Sequence, residues 1–237
     1  MSFLINSVKN LKSFKELENS IKNFKNTAVF GSDEAVISLF APAFLSQGKK
    51  VCVISQNRVT ARKTYEDILS IFNEECVIYP EKDVFFYDRD SKSKENTKKR
   101  LEAMAEVSTG NAKIVVTTLN ALTAKVSNPE VFASYKINIK LGSVISIEDL
   151  KLKLMEMGYD RFPGVEGVGQ FSIRGSIIDI ATYDENYRIE LFDDEVDSIR
   201  SFDIETQRSI EKYEEINIFP IEDLILKSDD KNKISKK

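Results

Sequence analysis

Between Gly158 and Ser209 the chain reads GYDRFPGVEGVGQFSIRGSIIDIATYDENYRIELFDDEVDSIRSFDIETQRS. Its apolar positions fall in three groups: Phe171, Ile173, Ile177, Ile178 and Ile180, then Tyr187, Ile189 and Leu191, then Val196, Ile199 and Phe202. They alternate or cluster over short runs, with glycines and charges between the runs. A side-chain period of two belongs to strands, so this stretch is predicted to form successive twisted strands with one face buried. A helix of the same residues would scatter its apolar side chains around the whole circumference.

The first half has a different rhythm. Short apolar runs are predicted as strands at Thr27–Phe30, Val51–Ser55, Cys76–Tyr79 and Lys113–Thr117. Helical patterns lie between them, through Val36, Leu39, Phe40 and Phe44, through Tyr65, Ile68, Leu69 and Phe72, and through Leu101, Met104, Ala105 and Val107. A charged segment, Asp90–Lys99, leads into the third of these, and a short helix follows from Leu119. Continuously apolar strands separated by helices argue for a parallel sheet with helices on both faces. Right-handed crossovers then give a RecA-like α/β layout. Residues 1–25 read as an amphipathic arm with Leu11, Phe14, Leu17 and Ile21 on one face. Around Asn128–Pro129 the texture changes to a smaller α+β domain, with a strand at Tyr135–Leu141, a helix at Ile147–Met157 and four or five further strands.

Charge and composition exclude several classes. Lys and Arg number 34 against 38 Asp and Glu, a net charge of -4, which is poor footing for a module built to grip phosphate backbone. With no histidine and two separated cysteines, a transition-metal site is not expected. Cys52 and Cys76 lie in apolar runs and read as reduced, buried thiols of a cytoplasmic protein. No apolar run is long enough to span a bilayer.

Four constellations are candidates for chemistry. The turn after Thr27–Phe30 sits where a phosphate-binding loop, G-x-x-x-x-G-K-[ST], would be. Counted from Gly31, its Gly, Lys and Ser/Thr positions are Val36, Ile37 and Ser38, so the lysine is lost, and Asp33 and Glu34 place negative charge where phosphates belong. No cofactor site is expected there. The run Lys92, Lys94, Lys98, Lys99 and Arg100, next to Phe85, Phe86 and Tyr87, has the ingredients of a nucleic-acid contact, but reads first as a solvated helix start. The acidic group Glu190, Asp193, Asp194, Glu195 and Asp197 reads as a solvated turn, with no metal expected. The fourth comprises Tyr159-Asp160-Arg161 and Phe171-Ser172-Ile173-Arg174-Gly175. Strand alternation puts Ser172, Arg174 and Ser176 on one face, with Phe171 and Ile173 on the other. An arginine among small polar residues suits bidentate capture of a partner's carboxylate. It also suits an ordinary ion pair with Asp193 or Glu195.

These residues resemble the Y-x-R turn and the F-R-V-R-G strand of the second domain of the excision-repair protein UvrB and of its counterpart in the bacterial transcription-repair coupling factors, the Mfd family. The first arginine of that strand is Ser172 here. Tyr87-Asp88 resembles the start of UvrB's DNA-clamping hairpin, but the predicted helix follows at once and leaves no room for the hairpin, as in the Mfd family. The resemblance implies a degenerate RecA-like domain at residues 1–125 and a UvrA-binding domain at 126–215. Residues 216–237 would then be the start of a further domain or a frayed tail. It implies a non-catalytic fragment of a coupling factor that docks UvrA through Arg161, Phe171, Arg174 and Gly175. RNA polymerase, duplex DNA, ATP and magnesium would be engaged by parts of the parent outside this chain, and the parent could mask the docking surface. The competing expectations are part of a UvrB-type ATP-dependent helicase, or a nucleic-acid-binding module.

Overall fold

A computed structural model describes residues 2–23, 25–31, 33–45, 48–71, 76–82 and 91–225, and the chain divides into two compact units, Met1–Ala124 and Lys125–Lys237. The first unit contains helices α1 (Ser2–Asn10), α2 (Lys12–Lys22) and α3 (Glu34–Leu45), then β1 (Val51–Ser55), α4 (Arg58–Ile71), β2 (Cys76–Tyr79), α5 (Ser91–Thr109), β3 (Ile114–Thr118) and α6 (Leu119–Leu122). The three strands form a parallel sheet in the order β1-β3-β2, with Ile114 registered against both Val51 and Cys76. Central β3 is the most buried strand of the three, and its Ile114 and Val116 are fully buried, packed with Ala41, Ala61 and Ile68 of α3 and α4. This is the expected parallel α/β arrangement.

Several expectations for this unit need correction. The arm at residues 1–25 is two helices, broken at Leu11, whose backbone is extended at φ -64 and ψ 137. The break lets Val8 and Phe14 reach one cluster on α3, where Phe14 is fully buried with ring centroids 5.3 Å from Phe40 and 4.9 Å from Phe44. Leu11 and Ile21 stay exposed. Thr27–Phe30 forms no strand: Val29 and Phe30 are 47% and 91% exposed. Four residues at a sheet edge would gain ladder bonds on one side only, too little to offset the ordering of the backbone. Cys52 is exposed, because β1 is an edge strand whose alternate residues face outward. Cys76 is buried as expected, and desolvation pushes its thiol up to about 12. The charged run is not a lead-in to a helix, since α5 already begins at Ser91. Phe72 and Asp90 lie outside the described residues.

The second unit runs through α7 (Pro129–Ser134), β4 (Ile137–Lys140), α8 (Ile147–Glu156), β5 (Asp160–Arg161), β6 (Gln170–Arg174), β7 (Ile177–Ala181), β8 (Asn186–Phe192), β9 (Glu195–Phe202), β10 (Ser209–Lys212) and β11 (Glu215–Ile218). Six strands form one sheet in the order β10-β9-β8-β7-β6-β5, antiparallel except for the β5–β6 pair, and β11 pairs with β4. Helix α7 begins on the Asn128 cap, whose side chain accepts from the Glu130 amide, with Pro129 at the first turn. Helix α8 is capped in the same way by Ser146, which accepts from the Asp149 amide.

The period of two read from the sequence is what the sheet uses. Ile173, Ile178, Ile189 and Ile199 stand side by side across β6 to β9, and Phe171, Ile180 and Tyr187 form the next row. Leu150 and Leu154 of α8, one helical turn apart, belong to the same core with Tyr159 and Met157. The unit continues past residue 215 because Glu215 pairs with Lys140 and the Ser127 amide donates to the Asp223 carbonyl at 2.8 Å. Residues 226–237 lie outside the described residues. Among the described residues no helix is long and apolar enough to cross a membrane.

Candidate docking surface

The loop that begins at Gly31 is a turn into α3. Gly31 has a left-handed φ of 73, as a tight turn before a helix requires, and α3 starts at Glu34. The Val36 amide donates to the Asp33 carbonyl at 3.0 Å, so that donor is already used by the chain itself. Ile37 is exposed where the lysine would stand, and Ser38 is 2% exposed, its hydroxyl turned into the fold. A cleft of about 240 Å³ does lie at the carboxyl ends of β2 and β3, the usual ligand position in a parallel sheet. It is lined by other residues, including Arg58, Arg62, Glu81, Lys99 and Thr118. Its cations are committed: Arg58 pairs with Glu81, Arg62 with Glu66 and Lys99 with Glu95, each at 2.8 Å. The hydrogen bond from Arg58 holds the Glu81 carboxyl below its usual range, and Thr118 donates to the same carboxylate.

The basic run is less available to nucleic acid than its composition indicates. Arg100 is 2% exposed, donating to the Pro80 carbonyl and the Tyr79 hydroxyl, with its guanidinium 4.2 Å from the Tyr79 ring centroid. Lys98 pairs with Glu102 and Lys99 with Glu95 along α5. Phe85, Phe86 and Tyr87, like the Lys92 and Lys94 side chains, lie outside what the structure describes.

The four residues expected to dock, Arg161, Phe171, Arg174 and Gly175, separate. Phe171 is fully buried in the core of the second unit and cannot touch a partner without unfolding, which corrects its place in the expected docking set. The signal was present: Phe171 and Arg174 are three apart on one strand, hence on opposite faces. Gly175, at φ 61, is the first of two residues linking paired Arg174 and Ile177, a position that favours glycine in tight hairpins. Its role is to turn the chain. Arg161 is exposed on the sheet's edge strand. It is held there by Tyr159, whose buried hydroxyl donates to the Phe219 carbonyl at 3.0 Å, and by the Phe162 amide, which donates to the Phe171 carbonyl at 2.9 Å. Gly169 permits this edge: at φ 84 it accepts from the Asp160 amide, and a Cβ there would lie 2.8 Å from Ile221. The register sets Arg161 beside Phe171 and not in the row of Arg174, so the two arginines do not share one face of the ladder.

Arg174 is the residue with the built environment. Its Nη2 donates to Asp179 Oδ2 at 2.6 Å, and the predicted partners Asp193 and Glu195 are not used. Asp179, on β7, is 1% exposed. Arg188 of β8 grips the same carboxylate twice, from Nε to Oδ1 at 2.6 Å and from Nη2 to Oδ2 at 3.0 Å. Arg188 also donates to Gln207 Oε1 at 2.7 Å and lies 4.5 Å from the Phe202 ring centroid. The lone acid in the apolar run IIDIA is the mark that could have revealed this cluster. Ser172, directly across from Asp179, is fully buried and its hydroxyl finds no partner. The acidic turn is a hairpin end: Phe192 and Glu195 pair around Asp193, which adopts φ 55, a conformation aspartate tolerates. Glu190 is taken by Arg200 and Ser198. Among the described residues no group of three or more acids or cysteines could hold a metal.

Comparison with known proteins finds two similarities. Residues 137–224 match the UvrB interaction domain. The chain is 34% identical over 235 residues, 97% of its length, to the transcription-repair-coupling factor of Bacillus subtilis (strain 168). It is 32% identical over 229 residues, 95% of its length, to that of Staphylococcus aureus (strain bovine RF122 / ET3-1). In both cases it spans 20% of the relative, about a fifth of the length of the curated proteins it matches.

Proposed function

We propose that this chain, a homologue of the transcription-repair coupling factors over at least 95% of its length, is the adaptor through which such a factor docks UvrA in nucleotide excision repair. The observation that carries the reading is Arg174: half-exposed on a UvrB-interaction fold, with its guanidinium fixed by a buried carboxylate. Arg161, exposed at the sheet edge, supplies a second cationic contact. In this reading the parent protein recognises stalled RNA polymerase and translocates on duplex DNA with ATP and magnesium, all through parts outside this chain. The parent would mask the docking surface until its motor engages.

The test is UvrA binding by Arg161→Ala and Arg174→Ala. A desolvated arginine at an interface centre is often worth about 2 kcal/mol on truncation, roughly thirtyfold in affinity. The fold should lose less than about 1 kcal/mol in either variant, because Arg161 is exposed and Arg174 half-exposed, and side chains at the surface contribute little. For Arg174→Ala the bidentate grip of Arg188 on Asp179 also remains. Unchanged UvrA binding in the double variant would move the contact elsewhere. Equal losses of affinity and melting temperature would make both residues structural.

The same reading makes the chain a non-catalytic module. Titration calorimetry with magnesium-ATP should give no heat above dilution, given Ile37 at the lysine position and the paired cations of the cleft. Micromolar binding displaced by competitor nucleotide would restore the UvrB-type helicase reading.

A further inference from the structure

We infer that Asp179 is a positioning residue for docking: it holds the Arg174 guanidinium ready for a carboxylate of the partner. This inference rests on the UvrA-docking reading and adds to it a residue that never reaches the surface.

The chain of contacts runs inward. Arg188 is fixed on several sides, by the Phe202 ring, by Gln207 and by the carboxylate it grips. A bidentate guanidinium–carboxylate pair has a set geometry, so the fixed Arg188 fixes the Asp179 plane. Asp179 Oδ2, thereby oriented, takes one nitrogen of Arg174, Nη2, at 2.6 Å. Arg174 is otherwise a long side chain, 50% exposed, that would sample many rotamers in water. Pinned at one nitrogen, it keeps its remaining donors at the surface and has less freedom to lose on binding. The charges also fit an acidic partner: two guanidiniums share one carboxylate, so the trio keeps a net positive charge.

The experiment is a double-mutant cycle on UvrA affinity with Arg174→Ala, Asp179→Asn and the double variant, with melting temperature followed for each. Asparagine keeps the size and one acceptor oxygen but loses the charge and the second acceptor. Asp179→Asn should weaken binding about tenfold, and in the Arg174→Ala background it should add nothing. Wild-type affinity in Asp179→Asn, or an undiminished tenfold loss in the absence of Arg174, would overturn the inference. Should Asp179→Asn not fold, side-chain 15N NMR of the wild-type protein decides the matter. Rotation about the Nε–Cζ bond of Arg174 should be hindered relative to exposed Arg161, and equally free rotation would sink the proposal. Full affinity in Arg174→Ala would remove Arg174 from the contact and overturn this inference with it, whereas loss of all UvrA binding by the wild-type chain would refute the docking reading itself.

Discussion

Replacing Phe171 by alanine should lower the stability of the second unit by about 3–5 kcal/mol, the usual cost of truncating a large buried ring. Phe171 is fully buried, registered against Ile180 and packed in the core shared by the sheet and α8. Neither neighbour can fill the space without leaving its own row. A domain of this size holds roughly 5–15 kcal/mol in all, so this one change removes a large share of it. Scanning calorimetry on the variant measures the loss. UvrA affinity per folded molecule should stay near wild type, because the ring never meets the surface. A stable variant with weakened UvrA binding would instead return Phe171 to the docking set.

Arg188→Ala should be nearly as damaging, by about 3 kcal/mol, although the residue is polar and near the sheet surface. Removing one partner of a buried pair strands the other charge, and here the other is Asp179, 1% exposed. Arg174 remains to pair with it, but through one nitrogen where Arg188 supplies two. The variant also loses the packing of the guanidinium on Phe202. For a unit of this length the melting temperature should fall on the order of 15 °C. A fall of only a few degrees would mean that Arg174 and water satisfy Asp179 unaided, and the rigid chain from Phe202 to Arg174 would then be absent.

The contrast between these two residues shows how far one sequence can be read. Periodicity separated Phe171 from Arg174 without any coordinates, because three positions along a strand are half a turn apart in facing. The same alternation sets Asp179 opposite its flanking isoleucines, but alternation alone names no partner for it. Arg174 looked free to reach Asp193 or Glu195, which are separated from it by one further hairpin, and only the pairing of Ser172 with Asp179 and of Asp179 with Arg188 shows which acid is within reach. Similarly, Arg100 counted as one of a cluster of cations until the helix carried it against Tyr79.

Local chemistry therefore determined much by itself: the strand and helix types, the caps at Asn128 and Ser146, the hairpin at Gly175 and the loss of the phosphate-binding lysine at Ile37. Each depends on residues within a few positions of one another, where backbone sterics and side-chain period act directly. Tertiary structure alone decided which alternating face was covered, so that Ser172 was buried with an unpaired hydroxyl and Cys52 left exposed. It also decided that Thr27–Phe30 stayed out of the sheet and that one aspartate would serve two arginines. Those outcomes depend on which distant segments lie alongside, and a period of two is the same whichever neighbour the strand acquires.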